Sequence, residues 1–307
     1  MSRCFLCPRN CGVDREGGKT GFCKVGGDFV VAKAMLHKWE EPCISGNGGA
    51  GTIFFSGCNL RCVYCQNCEI SRGGVGNAVS DAELEKIIFD LVDAGAECIE
   101  FVTPTHYTDK IARLLERIKP SLPVPVVWNS GGYEKVEILR SLDGLVDVYL
   151  PDYKYFSSEI AQKYSSAPDY CNVAINAIKE MVRQVGKPQF SSGDSLNSVQ
   201  MLQKGVIIRH LVLPSHREDS ANVLRLLANE IGADNVLLSL MSQYTPDFHK
   251  QMHESGIIPH LYSPLCRKLT SFEYNYVTQI ADSLGFDGYF QQRSSATKDY
   301  TPNFVDS

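Results

Sequence analysis

The sequence predicts an α/β fold in which parallel strands alternate with helices. Six apolar runs, uninterrupted by alternating polar residues, predict the strands: 52–55, 98–104, 124–130, 146–150, 206–214 and 235–241. Such runs are typical of strands that are covered on both faces, as in a parallel sheet. The segments between them have apolar residues three or four apart, which predicts helices packed on the sheet. Repeated strand–helix units of this kind build either an open doubly wound sheet or a barrel.

The helices are predicted from apolar stripes and from signals at their ends. Ser80 and Glu83 have the spacing of a capping box, and the stripe that follows them ends at Gly95. Another strand is predicted at 29–32, and the polar, Ser- and Gly-rich segment 186–203 is expected to form a surface loop or lid. Further helices are predicted over 111–118, 224–231 and 271–284.

Length and composition indicate one large domain with a small appendage. The chain has 307 residues, of which 44% are apolar, enough for a substantial core. The net charge of −5, without a basic stretch, argues against a nucleic-acid partner. The apolar runs are too short to cross a bilayer, and the N-terminus lacks the apolar core of a signal peptide. We therefore expect a cytoplasmic protein without a membrane partner, whose 12 Cys favour metal binding over disulfides.

Cys58, Cys62 and Cys65 give the strongest chemical signal. They follow the 52–55 strand, and three thiolates within eight residues can bind three corners of a cubane iron–sulfur cluster. No fourth Cys follows at a ferredoxin-like spacing, so one iron is expected to stay open to a small molecule. A zinc site and buried free thiols are the alternatives, although zinc prefers two Cys pairs or Cys with His. Cys68 is the rival fourth ligand, and its use would close the open iron.

Residues 1–28 are predicted to form a small Cys-rich metal knuckle ahead of a larger domain over 29–307. Four thiols have the spacing C-x2-C-x3-C-x11-C, with Gly residues for tight turns: Cys4, Cys7, Cys11 and Cys23. Four thiolates suit either a structural zinc ion or an auxiliary iron–sulfur cluster. Reduced free thiols are the third interpretation, and the sequence leaves the three open.

Polar residues follow the apolar strands. In a parallel α/β barrel, ligands bind at the carboxyl ends of the strands. These ends are therefore the expected binding region, although each residue alone could also serve as a cap or lie in solvent. The candidates at the strand ends are Thr103, Thr105, His106, Asn129, Ser130, Asp152, Lys154 and Arg209.

The Cys loop resembles that of the radical S-adenosylmethionine (SAM) superfamily. A strand, Gly57 and a Cys-x3-Cys-x2-Cys loop with Tyr64 before the last Cys make up the resemblance. In that family the open iron binds the amino and carboxylate groups of SAM, and the reduced cluster splits SAM into methionine and a 5′-deoxyadenosyl radical. The resemblance implies an incomplete (β/α)6 TIM-like barrel, which agrees with about six strands. It also implies a [4Fe–4S] cluster, SAM, and an electron donor of the flavodoxin or ferredoxin type.

Motifs along nearly the whole chain resemble homologues of pyruvate formate-lyase activating enzyme, a radical SAM subgroup. They lie at 4–14, 39–42, 51–57, 101–106 and 209–214. This resemblance implies hydrogen abstraction from a backbone Gly of a glycyl radical enzyme, or from another protein substrate. Two alternatives stay open: a radical SAM enzyme that acts on a small molecule, and a non-catalytic iron–sulfur or zinc protein.

One segment departs from the well-studied activating enzymes. Their Gly-Gly-Glu segment, which holds the SAM amino group, is replaced here by 103–106, where backbone carbonyls and Thr hydroxyls are expected to accept the ammonium. The resemblance also implies that the Tyr64 backbone meets the adenine. Arg209 offers a bidentate fork to the SAM carboxylate, or else it pairs with a protein carboxylate and only stabilises the barrel. The candidate carboxylate donors are Asn129, Ser130, Lys154 and Arg209.

Overall fold

A computed structural model describes residues 3–191 and 200–291, together with Pro302 and Phe304. Its described strands are β1 (Phe29–His37), β2 (Ala50–Phe55), β3 (Asn77–Val79), β4 (Ile99–Val102), β5 (Val126–Ser130), β6 (Val148–Pro151), β7 (Gln189–Phe190), β8 (Leu202–Leu211), β9 (Leu237–Met241) and β10 (Gly288–Phe290). The helices are α1 (Pro42–Ser45), α2 (Cys68–Ser71), α3 (Asp81–Asp93), α4 (Thr108–Ile118), α5 (Val136–Leu139), α6 (Ser158–Ser165), α7 (Tyr170–Val185), α8 (Arg217–Glu230), α9 (Pro246–Glu254) and α10 (Ser271–Ser283). Short 3-10 turns lie at Thr105–Tyr107, Lys119–Ser121, Arg140–Leu142, Ala233–Asn235 and Ser263–Cys266.

The sheet is an unclosed parallel barrel wound in one direction. Its strand order is β10-β9-β8-β6-β5-β4-β2-β1-β3, and the pairs from β2 to β10 are parallel. The parallel strands β2, β4, β5, β6, β8, β9 and β10 lie side by side in the order in which they occur along the chain, so the order never reverses as it does in a doubly wound sheet. The predicted incomplete barrel is therefore confirmed. No helix in the described ranges has the length and apolar content needed to span a bilayer.

Alternation along the strands separates an outer apolar face from a partly polar interior. The outward residues of β4 and β5, such as Phe101 and Trp128, are fully buried against the helices. On the inner face, α1 and the first residues of the strands supply an apolar layer that includes Ile44, Val127 and Ile207. Polar side chains lie above this layer, toward the carboxyl ends of the strands.

Local signals account for the helix ends. Ser80 Oγ accepts from the Glu83 backbone N–H (3.3 Å), and the Glu83 carboxylate accepts from the Ser80 backbone N–H (2.7 Å), so the predicted capping box is confirmed. Thr270 and Glu273 form a second capping box at α10, which the apolar stripe alone did not reveal.

Several elements differ from the sequence prediction. The strand β1 extends to His37 and pairs antiparallel with β2 and β3. A seventh parallel strand, β10, follows the helix that was predicted to be the last one. The predicted loop at 186–203 is partly strand, because β7 pairs antiparallel with the start of β8, and residues 192–199 lie outside the described residues.

Residues 3–28, all of them described, form turns and loops without a helix or strand. Arg9 fixes this segment to the barrel, because it donates to the backbone carbonyls of Asn59 (2.8 Å) and Ser165 (3.1 Å). Its guanidinium also lies 3.9 Å from the centre of the Phe22 ring. Arg15 adds a hydrogen bond to the His106 carbonyl. The division of the chain at residue 28 stays a prediction.

Candidate active site

A cavity lies at the carboxyl ends of the parallel strands, where the sequence predicted ligand binding. Its wall brings together three loop thiols, the residue before the last of them, and polar groups that follow β4, β5, β6 and β8. The predicted site residues that line it are Cys58, Cys62, Cys65, Tyr64, Thr103, Asn129, Ser130, Asp152, Lys154 and Arg209.

The Cys loop begins at a glycine that no other residue could replace without strain. Gly57 has φ +84°, and a Cβ atom there would lie 2.5 Å from the Cys23 carbonyl oxygen. Burial and the neighbouring Cys62 raise the pKa of Cys58 to about 12, and they raise that of Cys65 to about 11. Both thiols are therefore protonated in the free protein, and binding of iron must release their protons.

Cys68, the rival fourth ligand, lies at the first position of α2. Its side chain is 5% exposed and belongs to the main apolar core. It is close enough to contribute to the raised pKa of Cys65, yet it is not part of the cavity wall. The three loop thiols thus line the cavity, and Cys68 does not join them there.

The N-terminal thiols lie near one another. Burial raises the pKa of Cys7 to about 11, and the other three thiols of this segment, Cys4, Cys11 and Cys23, contribute to the same shift. Across the described ranges, no group of three or more Cys, His, Asp or Glu has the arrangement for a single metal ion. A cubane spreads its thiolates over separate irons, so this finding concerns single-ion sites. The second metal site stays a prediction.

A buried polar network lies beneath the cavity. Glu100, on the inner face of β4, accepts hydrogen bonds from Thr52 Oγ1 (2.7 Å) and Asn129 Nδ2 (2.6 Å). The other end of that amide, Asn129 Oδ1, accepts from Arg209 Nη2 (2.6 Å). Asn129 is therefore committed to protein partners at both ends, although it was predicted to donate to the SAM carboxylate.

Arg209 joins this network to two carboxylates. Its Nε donates to Asp152 Oδ1 (3.2 Å), and its Nη1 donates to Glu40 Oε2 (3.3 Å). The open interpretation that Arg209 pairs with protein carboxylates thus describes its observed contacts. Burial raises the pKa of Glu40, repulsion from Glu100 raises it further, and Arg209 opposes both effects.

Glu40 and Glu100 were not predicted as site residues. Glu100 did carry a signal, because an acid in the middle of an apolar strand must find buried partners. Glu40 comes from the 39–42 motif and meets Arg209 across 169 positions of sequence, which no local pattern reports.

Of the two cationic side chains in the cavity wall, Lys154 has fewer hydrogen bonds to the described protein atoms than Arg209 has. Its Nζ donates to Asp152 Oδ2 (2.5 Å), and the hydrogen bonds of the described residues give the ammonium no second acceptor. An ammonium has three N–H donors, so two remain for a ligand in the cavity. Burial alone would lower the pKa of Lys154, but Asp152 outweighs it and the pKa is raised, which keeps Lys154 charged. The hydroxyl of Ser130, by contrast, donates to Glu134 Oε2 (2.6 Å).

The segment 103–106 divides at a sharp turn. Thr103 lines the cavity with φ +57°, a left-handed conformation that is uncommon for a β-branched residue. The chain then turns into the 3-10 turn, and Thr105 and His106 point away from the cavity. Thr105 Oγ1 donates to Glu134 Oε1 (3.1 Å), and His106 Nε2 lies 2.9 Å from the Ser56 carbonyl oxygen. The structure therefore does not bring these two predicted residues to the site.

Burial and Arg15 lower the pKa of His106 to about 3. The ring is neutral at physiological pH, and Nε2–H donates to the Ser56 carbonyl. His106 thus stabilises the start of the Cys loop through the backbone of Ser56, on the side away from the cavity.

Comparisons with known proteins agree with this architecture. Residues 44–163, which include the three loop Cys, match a family described as a 4Fe-4S single cluster domain. An uncharacterized protein of Methanocaldococcus jannaschii is 29% identical over 297 residues, covering 94% of this chain and 76% of that protein.

Among solved structures, the chain is similar to the radical SAM methyltransferase TsrM from Kitasatospora setae, determined with cobalamin and a [4Fe–4S] cluster bound. The TM-score is 0.52 at 10% sequence identity, and the similarity covers 80% of this chain and 55% of that one. This chain thus spans about half the length of that structural relative. The shared fold agrees with the predicted incomplete barrel, and the matched domain agrees with the predicted [4Fe–4S] cluster.

Proposed function

We propose that this protein cleaves SAM at a [4Fe–4S] cluster held by Cys58, Cys62 and Cys65 and uses the resulting radical to abstract hydrogen from a substrate. One observation carries the proposal: the three thiols share a single cavity with the polar carboxyl ends of the barrel strands. When bound and reduced, the cluster supplies the electron that divides SAM into methionine and a 5′-deoxyadenosyl radical.

The residues of the cavity fit these groups in kind. The three thiols lie on one loop, and Cys68, the nearest alternative ligand in sequence, packs in the core. This arrangement supports a cluster with one iron left open to SAM. Zinc fits less well, since across the described ranges no three ligating groups gather around a single point.

Lys154 is the residue that we assign to the SAM carboxylate. Two of its three N–H donors have no acceptor among the described residues. The donors of Asn129, Ser130 and Arg209 are largely hydrogen-bonded to protein groups. Asp152 holds the ammonium in place, and Arg209 in turn holds Asp152. Arg209 and Asn129 are therefore positioning residues that act through this chain of contacts.

Thr103 is the residue that we assign to the SAM ammonium. It is the part of 103–106 that lines the cavity, and its carbonyl and hydroxyl are acceptors. A left-handed Thr is strained, and such strain persists where the surrounding structure imposes it, as happens at ligand sites.

For the substrate, we propose a backbone Gly of a glycyl radical enzyme, with an electron donor of the flavodoxin or ferredoxin type. Support comes from the motifs at 39–42, 101–106 and 209–214, which resemble those of activating-enzyme homologues. Glu40 and Arg209, from two of these motifs, contact each other beneath the cavity.

Anaerobic turnover with dithionite and SAM tests the proposal. The reconstituted protein should release 5′-deoxyadenosine, whereas the variant Cys62→Ala should release none. Cys43→Ala is the matched control, because that buried thiol lies in the apolar layer at the opposite end of the barrel. A fully loaded, reduced cluster that releases no 5′-deoxyadenosine would refute the catalytic role.

The stoichiometry of SAM use tests the proposed substrate. With a glycyl radical enzyme as partner, a protein-centred doublet should appear in its electron paramagnetic resonance (EPR) spectrum, and SAM consumption should stop near one equivalent per glycyl site. Continued turnover that follows the supply of a small molecule would instead assign the enzyme to small-molecule chemistry.

A further inference from the structure

We propose that Ser165, supported by Tyr155 and Tyr64, donates a hydrogen bond to the sulfur of Cys62 and thereby raises the reduction potential of the cluster. This inference rests on the proposed function, because it requires a cluster on the loop thiols. It assigns a tuning role to Ser165 and Tyr155, which lie far from the Cys motif in sequence, and to the side chain of Tyr64 within the motif.

The contacts form one continuous chain of hydroxyl groups. Ser165 Oγ lies 3.0 Å from Cys62 Sγ and 2.7 Å from the Tyr155 hydroxyl oxygen. The Tyr155 hydroxyl lies 2.6 Å from that of Tyr64, the residue before the last cluster Cys. Ser165 and Tyr155 are fully buried, so water does not compete for these hydrogen bonds.

The backbone holds Ser165 against the Cys loop. Ser165 is the last residue of α6, and Ser166 ends the helix in a left-handed conformation with φ +53°. The Val63 N–H donates to the Tyr164 carbonyl (2.9 Å), which ties this helix end to the loop. Arg9 donates to the Ser165 carbonyl from the other side. The serine is thus positioned by contacts that do not involve its own hydroxyl.

The direction of the chain follows from the chemistry of the thiolate. A sulfur bound to iron carries no proton, so it can only accept, and Ser165 must donate to it. The Ser165 oxygen can then accept from the Tyr155 O–H, and the Tyr155 oxygen can accept from the Tyr64 O–H. Donors aligned in this way polarise one another, so the two tyrosines strengthen the last hydrogen bond.

A hydrogen bond to a cluster sulfur favours the reduced cluster. Reduction adds negative charge that is partly carried by the sulfurs, so a donor stabilises the reduced form more than the oxidised form. Hydrogen bonds to the sulfurs are one of the factors that set the potentials of such clusters. Loss of the Ser165 hydroxyl should therefore shift the midpoint potential to a more negative value.

An EPR-monitored redox titration of the full-length, cluster-loaded protein tests this inference. Ser165→Ala should lower the ratio of reduced to oxidised cluster at a fixed potential by about threefold or more, because the lost hydrogen bond is stronger to the reduced cluster than to the oxidised one. Tyr155→Phe should shift the potential in the same direction by a smaller amount. Ser56→Ala is the matched control, because that buried hydroxyl lies 3.3 Å from the Ile70 carbonyl oxygen at the base of the loop.

The outcomes separate this inference from the proposed function. A wild-type protein without a [4Fe–4S] cluster would contradict the function itself. A normal wild-type cluster whose potential is the same in Ser165→Ala as in Ser56→Ala would overturn only the tuning role. If Ser165→Ala fails to assemble a cluster, Tyr155→Phe decides, because it keeps the ring and removes only the hydroxyl. An unchanged potential in Tyr155→Phe would then overturn the inference.

Discussion

At the scale of the residue, the site assigns different tasks to groups of the same charge. Lys154 and Arg209 both contact Asp152, but Arg209 also binds Glu40 and Asn129, whereas Lys154 keeps free donors beside the thiols. Burial would raise the pKa of Asp152, yet the two cations outweigh it and lower that pKa. Asp152 is therefore an anion that binds two cations: Lys154, which has donors left for a ligand, and Arg209, which bonds to the barrel.

Replacement of Lys154 by Met should weaken SAM binding without loss of the cluster. A lost charge-assisted hydrogen bond costs about 1.5–3 kcal/mol, which corresponds to an affinity roughly ten- to a hundredfold lower. Titration calorimetry on the reconstituted variant measures it. Lys119→Met is the matched control, since that partly buried Lys pairs with Asp147 outside the cavity. Equal affinities in the two variants would remove Lys154 from the SAM site.

Replacement of Arg209 by Ala should mainly destabilise the barrel. It leaves Glu40 and Asp152, which are both largely buried, without their shared cation, and breaking such an ion pair costs up to about 3–5 kcal/mol. The melting temperature should fall clearly, and SAM affinity should fall through the loss of order at Lys154. An unchanged melting temperature together with lost SAM binding would show that Arg209 holds SAM directly.

The site residues differ in how far the sequence predicts them. The loop thiols and Tyr64 are local in sequence, so their spacing reports their chemistry. The partners Glu40 and Ser165 lie 169 and 103 positions from the residues that they contact, and only folding brings them there. His106 looked like a strand-end ligand, but the turn at Thr103 directs it behind the cavity.

At the scale of the element, buried hydrogen bonds join the strands to their crossover helices. His210 on β8 is an example: its Nδ1 lies 2.6 Å from the Tyr153 carbonyl oxygen after β6, and its Nε2 lies 2.8 Å from Ser220 Oγ in α8. Burial lowers the pKa of His210 to about 4, so the ring is neutral in the folded protein. The two contacts tie β6, β8 and α8 together.

The stability of the fold should consequently fall in mild acid. The unfolded chain binds a proton at His210 below a pH of about 6.5, while the folded chain does so only near 4. Between these values the unfolded state holds more protons, so the free energy of unfolding falls as the pH falls, by up to a few kcal/mol.

The raised pKa of Glu40 and Glu100 acts in the opposite direction, so the prediction concerns a difference between two proteins. Urea unfolding of wild type and His210→Gln at pH 7 and pH 5 measures it. The wild type should lose more stability than the variant over this interval. Equal losses would show that His210 is not the titrating group.

The sequence predicts strands well where both faces of the strand are buried, and poorly where a face is exposed. The strands β2, β4, β5, β6 and β9 are fully buried along their length, which is why they read as apolar runs. The strand β10 has three half-buried residues, too few for a periodic signal. The short strand β3 is mostly exposed and is specified by its pairing with β1.

At the scale of the whole molecule, the N-terminal segment and the cluster loop form one contact surface. Arg9, which lies between two N-terminal Cys in the sequence, donates to the backbone carbonyl of Asn59, the residue after Cys58. In the other direction, the guanidinium of Arg61 in the loop lies 4.1 Å from the centre of the Phe22 ring. Contacts between Cys-rich segments so far apart in sequence could not be predicted from spacing alone.

Removal of two N-terminal thiols, as in Cys7→Ala/Cys23→Ala, should lose one metal site and loosen residues 3–28, since metal binding supplies folding energy in such small knuckles. Elemental analysis and hydrogen exchange measure the two effects. Cys43→Ala/Cys98→Ala serves as the control, because both thiols are buried in the apolar layer of the barrel. About four irons and no zinc in the wild type would show that the N-terminal site is empty.

The EPR spectrum of the anaerobically reconstituted, reduced protein with and without SAM tests most directly whether one iron of the cluster is open to SAM. An iron left open by Cys58, Cys62 and Cys65 should bind SAM, so the [4Fe–4S] signal should change on addition of SAM and should be lost when these three Cys are replaced by Ala. A [4Fe–4S] signal that is indifferent to SAM would contradict the open iron, and Cys68 would then be the fourth ligand to test.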